Sequence, residues 1–155
     1  MVSSCLCGFR CRYDGTCSST PIIDRLMKEG KVVPVCPEIL GGLPVPRPPS
    51  EILGGDGSDV ISGKARVLTI SGIDVTSFYV RGALRALAVG LESGCMSAVL
   101  KARSPACGLG QIYDGSFSRR LKTGHGVLAS LLKKHGFVIY TENDLDRLRD
   151  DTGTP

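Results

Sequence analysis

The chain has 155 residues, 42% hydrophobic and 22% charged, with a net charge of +4, which is the size and composition of one ordinary domain with its own core. The charge falls short of the dense Lys/Arg stripe of a duplex binder, no apolar run reaches the ~18 residues needed to span a bilayer, and no basic segment leads into a long apolar one as in a secretion signal. A cytoplasmic protein is expected, and with 5% aromatic residues and no Trp its core must be mostly Leu, Val, Ile and Ala.

In chain order, Met1-Val2-Ser3-Ser4 reads as a strand that ends at Cys5. Arg12-Tyr13-Asp14-Gly15 follows in a loop, with Asp-Gly as a turn signal. Residues 21–29 predict a short amphipathic helix with Pro21 in its first turn and Gly30 at its end. Residues 31–35 predict a strand that runs into Cys36. From 36 to 64 the pattern breaks: Pro and Gly are too dense for helix or central strand, and a long loop in a compact domain is usually functional or disordered. An ordered, functional loop is expected, because it begins at a cysteine of interest. Residues 66–70 predict a strand, antiparallel at an edge. Asp74 can cap a helix through about Glu92, with Phe78, Leu84, Leu87, Ala88 and Leu91 at helical spacing. Gly94 ends it, and residues 96–100 predict a strand. A second irregular stretch, 103–126, is rich in Gly and Ser. Residues 127–134 predict a helix stopped by Gly136, residues 137–140 a strand, and Thr141-Glu142-Asn143-Asp144 a variant capping box opening a last short helix. Helix alternating with apolar strand implies an α/β fold: a single-domain, three-layer sandwich over residues 1–150, with a mostly parallel, Rossmann-like sheet, two long functional loops and a frayed tail at 151–155.

Seven cysteines need a reason. An odd number without a secretion signal argues against a disulfide framework. Cys5, Cys36 and Cys107 each follow a strand, and ligands gather at the carboxyl ends of parallel strands. Three thiols at one sheet edge suggest a shared soft-metal site, and three ligands leave one coordination position free. No Cys-x-x-Cys occurs, so structural zinc is disfavoured. The plainer reading is that these cysteines are small buried hydrophobes. Glu38, two residues beyond Cys36, can reach the same pocket as a general acid or base, or be a solvated loop glutamate. Ser104 can hydrogen-bond a ligand or make a local turn. Gly108 and Gly110 leave backbone N–H groups open to a sulfide or an anion. Arg12-Tyr13-Asp14-Gly15 is echoed by Ile112-Tyr113-Asp114-Gly115: either both are turns, or both tyrosines border one pocket. Cys95 reads as packing, His135 as a helix C-terminal residue, and neither it nor His125 as catalytic.

Val2-Ser3-Ser4-Cys5-Leu6, Arg12-Tyr13-Asp14-Gly15, Val35-Cys36-Pro37-Glu38, the run from Gly41-Gly42-Leu43-Pro44-Val45-Pro46 through Arg47-Pro48-Pro49-Ser50-Glu51, Lys101-Ala102-Arg103-Ser104-Pro105-Ala106-Cys107-Gly108 and Gln111-Ile112-Tyr113-Asp114-Gly115-Ser116-Phe117-Ser118 resemble the thiouracil desulfidase family over nearly the whole chain. The resemblance implies a [4Fe–4S] cluster held by Cys5, Cys36 and Cys107, with one iron not ligated by protein. That iron would act as a Lewis acid toward the sulfur of a small-molecule thiolated pyrimidine, and water would replace C–S by C–O without net redox change. Glu38 is implied for proton transfer and Ser104 for orienting substrate or water. Arg47, Lys101 and Arg103 can contact a phosphate or a pyrimidine carbonyl, or be solvated surface charges. Cys7, Cys11 and Cys17 depart from the family's usual aliphatic or small residues. Cys11 can compete with Cys5, or add a fourth thiolate that closes the site. Two rival classes are a structural metal protein that binds nucleic acid and a thiol redox or sulfur-carrier protein with Cys107 as nucleophile. The oligomeric state is not fixed by sequence.

Overall fold

Local chemistry sets the element ends in this computed structural model, which describes residues 1–145. Strand β1 (Val2–Ser3) passes directly into a 3-10 turn, Ser4–Cys7, closed by Gly8 at φ 89°. Thr20 accepts the Ile23 N–H and Pro21 takes the first helical position, which starts α1 (Pro21–Lys28). Strand β2 (Pro34–Val35) is shorter than the expected 31–35, because its parallel partner β1 is itself two residues long. The proline-rich stretch is not the uninterrupted loop expected. Pro37 initiates α2 (Pro37–Leu40), Ser50–Leu53 forms β3, and a reciprocal capping box between Asp56 and Asp59 starts α3 (Gly57–Ile61). Proline blocks a helix interior but suits its first turn, which is why the correction falls at Pro37.

Strand β4 (Arg66–Thr69) is antiparallel as expected, but it pairs with β3 in a separate ribbon rather than at an edge of the main sheet. Helix α4 (Thr76–Glu92) starts one residue later than a cap at Asp74 would place it; Asp74 still accepts the Thr76 N–H at 2.9 Å. Then come β5 (Ser97–Leu100), the ribbon of β6 (Gln111–Tyr113) and β7 (Leu121–Thr123), α5 (Val127–Lys134) and β8 (Val138–Thr141). The expected capping box at Thr141 is present and opens a 3-10 turn, Glu142–Asp144. Whatever follows Leu145, including the expected tail at 151–155, lies outside the described residues.

The main sheet is parallel throughout, in the order β2-β1-β5-β8. From β1 the chain moves one way to β2 and the other way to β5 and β8. The switch point therefore lies between β1 and β5, and the crevice outside their carboxyl ends is the place such a sheet offers a ligand. Successive residues of a strand point to opposite faces. Met1, Val35, Ala98 and Leu100 accordingly join Tyr79, Ala83 and Leu87 of α4 and Leu128 and Leu132 of α5 in one apolar cluster. Val2 and Val99 join Ile23 of α1 and Leu6 in another.

Two glycines bring α2 close to α4. A Cβ at Gly82 would lie 1.8 Å from the Pro37 carbonyl oxygen, and one at Gly41 would lie 2.1 Å from the Phe78 carbonyl oxygen. Arg81 and Arg85 of α4 seal the contact through the Gly41 and Leu40 carbonyls. Gly82→Ala gains about 1 kcal/mol of helix propensity, but its methyl meets backbone that no rotamer change can relieve. We expect a net loss of about 1–3 kcal/mol, read as a lowered thermal midpoint by circular dichroism. An unchanged midpoint would show that α2 is free to shift.

Candidate functional site

The carboxyl ends of β1, β2 and β5 open into a cavity of about 630 Å³. Cys5, Cys36 and Cys107 all line it, so the three thiols that the sequence sends to one sheet edge do meet. Cys5 sits in the 3-10 turn directly after β1, and Cys36 is the residue between β2 and α2. Cys107 is carried by a tightly tied loop. The Ser104 hydroxyl oxygen accepts the Ala106 and Cys107 N–H groups, each at 3.1 Å. The Leu128 N–H of α5 donates to the Ala106 carbonyl at 2.8 Å. A Cβ at Gly126 would fall 2.5 Å from the Ala106 carbonyl, so only glycine lets α5 approach this loop. Ser3 links the two strands at the switch point: its hydroxyl donates to Cys107 Sγ at 3.3 Å and accepts the Lys101 N–H at 3.0 Å.

Cys11 shares the cavity. Cys5 and Cys107 are buried, while Cys11 and Cys36 are half-buried. The Cys36 thiol donates to Glu38 Oε2 at 3.5 Å. Its pKa is pushed far up, first by its hydrogen bond with Cys11, then by burial and by the Glu38 carboxylate. Cys107 is also held far above the usual thiol range, by burial first and then by Glu38. At Cys11 the bond to Cys36 pulls downward, but the bond to Cys5, burial and the Glu38 charge together raise its pKa to about 11. Free thiols in this state are protonated and poorly nucleophilic, which weighs against Cys107 as a sulfur carrier. A bound cation reverses the balance, because coordination removes the thiol proton outright. Among the described residues no three His, Cys, Asp or Glu side chains are placed to hold a single metal ion. A polynuclear cluster is larger than an ion and takes its thiolates from further apart. A thiol donor set with two members buried and one half-buried fits an iron–sulfur cluster.

Glu38 is tied to Arg47, whose side chain is 4% exposed against 15% for the glutamate. One Arg47 nitrogen lies 3.2 Å from Glu38 Oε2 and donates to the Cys11 carbonyl at 3.0 Å; the other terminal nitrogen donates to the Pro44 carbonyl at 3.2 Å. The Arg47 N–H donates to the Tyr13 carbonyl at 2.8 Å. This arginine therefore joins the proline-rich stretch, the Cys11–Tyr13 segment and α2, a role beyond both sequence readings of it. Removing one partner of a buried pair leaves the other uncompensated. Arg47→Ala is expected to lower the free energy of unfolding by about 3–5 kcal/mol, measured by urea denaturation; a loss below about 1 kcal/mol, typical of a surface pair, would contradict it.

The remaining predicted residues divide. Lys101 pairs with Glu142, which also accepts the Ala102 N–H at 2.7 Å. Arg103 is exposed, lines the cavity and holds a left-handed backbone, φ 66°. Both readings of the Tyr-Asp-Gly echo hold. Asp14 accepts the Thr16 N–H and Asp114 the Ser116 N–H in matching turns, and Tyr13 and Tyr113 both border the cavity. His125 is structural: it accepts the Gly110 N–H at Nδ1, and its own N–H donates to Asp56. Cys95 packs against the main core. Sequence reasoning missed Tyr79, a buried α4 residue on the cavity wall whose hydroxyl is kept protonated by burial. The sequence placed the apolar stripe of α4 at Phe78, Leu84, Leu87, Ala88 and Leu91, but Leu84, Ala88 and Leu91 are exposed and the buried face is Tyr79, Gly82, Ala83, Ala86, Leu87 and Gly90; small residues carry the close packing against α2, so the larger leucines misled.

Fold and site together define a parallel α/β protein with a thiol-lined cavity at its switch point, beside a buried carboxylate–guanidinium pair. The family model for 2-thiouracil desulfurase matches residues 1–144. The uncharacterized protein YbbK of Bacillus subtilis (strain 168) is 47% identical over 146 residues, spanning 94% of this chain and 97% of that one. A solved structure titled [4Fe-4S]-dependent thiouracil desulfidase TudS superposes with a TM-score of 0.85 at 40% identity, covering 97% of this chain and 95% of that one. The chain belongs to the 2-thiouracil desulfurase family.

Proposed function

We propose that this chain is a [4Fe–4S]-dependent thiouracil desulfidase: water enters at the thiocarbonyl carbon, the C=S of a thiolated pyrimidine becomes C=O, and sulfide leaves with no net redox change. The observation that carries this reading is the meeting of Cys5, Cys36 and Cys107 in one cavity with Glu38. These three thiols would hold the cluster, with one iron not ligated by protein. When bound, the cluster supplies a soft Lewis acid suited to a thiocarbonyl sulfur. The cavity volume lies within the ~300–1,000 Å³ of small-molecule sites. Glu38, oriented by Arg47, takes a proton from the entering water and returns one to the departing sulfur. Ser104 has its oxygen occupied by two N–H groups, so its remaining capacity is its own O–H, which can donate to substrate or water. The two apolar clusters support the three-layer, Rossmann-like reading, and residues 1–150 are taken as one desulfidase domain. No helix among the described residues is long and apolar enough to cross a membrane; the cytoplasmic assignment rests on the sequence.

The test is anaerobic reconstitution with iron and sulfide, followed by incubation with 2-thiouracil. Uracil and sulfide should appear in equal amounts without an added oxidant or reductant. A reconstituted protein that carries a cluster yet leaves thiouracil intact would refute the assignment. A metal-free protein that forms a persulfide instead would favour the sulfur-carrier class.

A further inference from the structure

We infer that Ser3 is a positioning residue that hydrogen-bonds the Cys107 thiolate of the cluster, drawing electron density from that ligand and so raising the Lewis acidity that the cluster offers to the substrate sulfur. The inference rests on the function proposed above. Ser3 ends β1 at the switch point and is 2% exposed, so its hydroxyl is shut off from bulk water. The Lys101 N–H occupies its oxygen at 3.0 Å. The O–H is left to donate, and it donates to Cys107 Sγ at 3.3 Å. A tie between β1 and the end of β5 needs only the first of these bonds. The second is aimed at a ligand.

The three ligands are unequal in this respect. Among the described residues Ser3 is the one hydrogen-bond donor to Cys107 Sγ, and no hydroxyl reaches the sulfur of Cys5 or Cys36. Cys36 faces Glu38 Oε2 at 3.5 Å instead, and an ionised carboxylate has no proton to offer a coordinated sulfur. A thiolate bound to iron accepts but cannot donate, so the Ser3 O–H bond becomes charge-assisted and about twice as strong as a neutral one. The interior screens it less than water would. Hydrogen bonds to the sulfurs are among the causes that set the potential of an iron–sulfur cluster. The partial positive charge on the Ser3 proton favours the cluster state with more electrons and so raises its reduction potential. The same charge weakens Cys107 as an electron donor, which leaves the irons more receptive to a sulfur of the substrate. The Ser3 proton stays on its oxygen throughout; no covalent step falls to this residue.

Wild-type, Ser3→Ala and Ser3→Thr proteins would be reconstituted anaerobically with iron and sulfide, in water and in deuterium oxide. In the dithionite-reduced wild type, electron–nuclear double resonance should show an exchangeable deuteron coupled to the cluster. Ser3→Ala should lose that coupling and show a more negative reduction potential in a spectroelectrochemical titration. Its kcat/KM toward 2-thiouracil should fall about 10-fold, the lower end of the range for groups that support a metal ligand. Ser3→Thr, which keeps the hydroxyl, should restore both the coupling and the potential. A wild type with no coupled deuteron overturns the inference, whether or not the alanine variant folds. An alanine variant that holds its cluster at the wild-type potential also overturns it and reduces Ser3 to a tie between strands. A wild type that holds its cluster and the coupled deuteron yet leaves thiouracil intact refutes the proposed function and upholds the bond from Ser3. A wild type that takes up no cluster overturns both.

Discussion

Cys107→Ser should give a folded protein that does not retain iron and sulfide and does not desulfurate thiouracil. The fold survives because the site is forgiving of this one change. Serine is smaller than cysteine, and Ser3 Oγ, now 3.3 Å from the sulfur, remains to pair with the new hydroxyl. Ser104 still ties the loop through the N–H groups of residues 106 and 107, which the substitution keeps. The cofactor does not survive, because a neutral hydroxyl is a hard, weak donor beside a thiolate. No neighbour can substitute: the groups that most shift the Cys11 thiol are Cys36 and Cys5, which sets it on their side of the cavity, while Cys107 enters from the β5 side. Changes to groups that merely support a metal ligand cost about 10–100-fold in affinity or activity, and loss of the ligand itself should exceed the upper end of that range. Iron and acid-labile sulfide assays, with circular dichroism as the folding control, decide the matter. A variant that binds the full complement of iron removes Cys107 from the ligand set.

The parallel sheet and its thiols were legible because both rest on local signals. Lys31-Val32-Val33-Pro34-Val35 is an apolar run that leads into Cys36, and the expected strands sit beside helices marked by Pro21 and Gly30, by Gly94, and by Gly136. The interior of the two irregular stretches was not legible. Helix α2 is four residues long, too short to show a period, and it is positioned by the close approach of Gly41 and Gly82, residues far apart in sequence. The β3–β4 and β6–β7 ribbons depend on cross-strand partners that no single segment announces. Arg47 was seen as a surface charge or a substrate contact, and its burial follows only from the loop folding back on Tyr13 and Glu38. The closeness of Cys11 to Cys36 is likewise a tertiary fact.

Glu38→Gln should separate proton transfer from cofactor binding. The carboxylate faces the thiols, and its charge is among the causes that raise the pKa of Cys36, Cys107 and Cys11. Metal uptake requires those thiols to lose their protons, so removing the negative charge eases cluster binding rather than opposing it. Glutamine also keeps the length of the side chain, and its amide oxygen can still accept from Arg47, now 3.2 Å from Oε2. What it cannot do is exchange a proton with water or with departing sulfide. General acid–base groups contribute about 10²–10⁴-fold to a rate, so kcat should fall by that order while iron content matches the wild type and KM stays close to it. Two results would count against this role: a variant of full activity makes Glu38 a partner of Arg47 and nothing more, and a variant that loses its iron makes the carboxylate part of the cluster's support. The fall in kcat at constant iron is the outcome that a carboxylate 3.5 Å from the Cys36 sulfur, lining the cavity the three thiols share, is placed to produce.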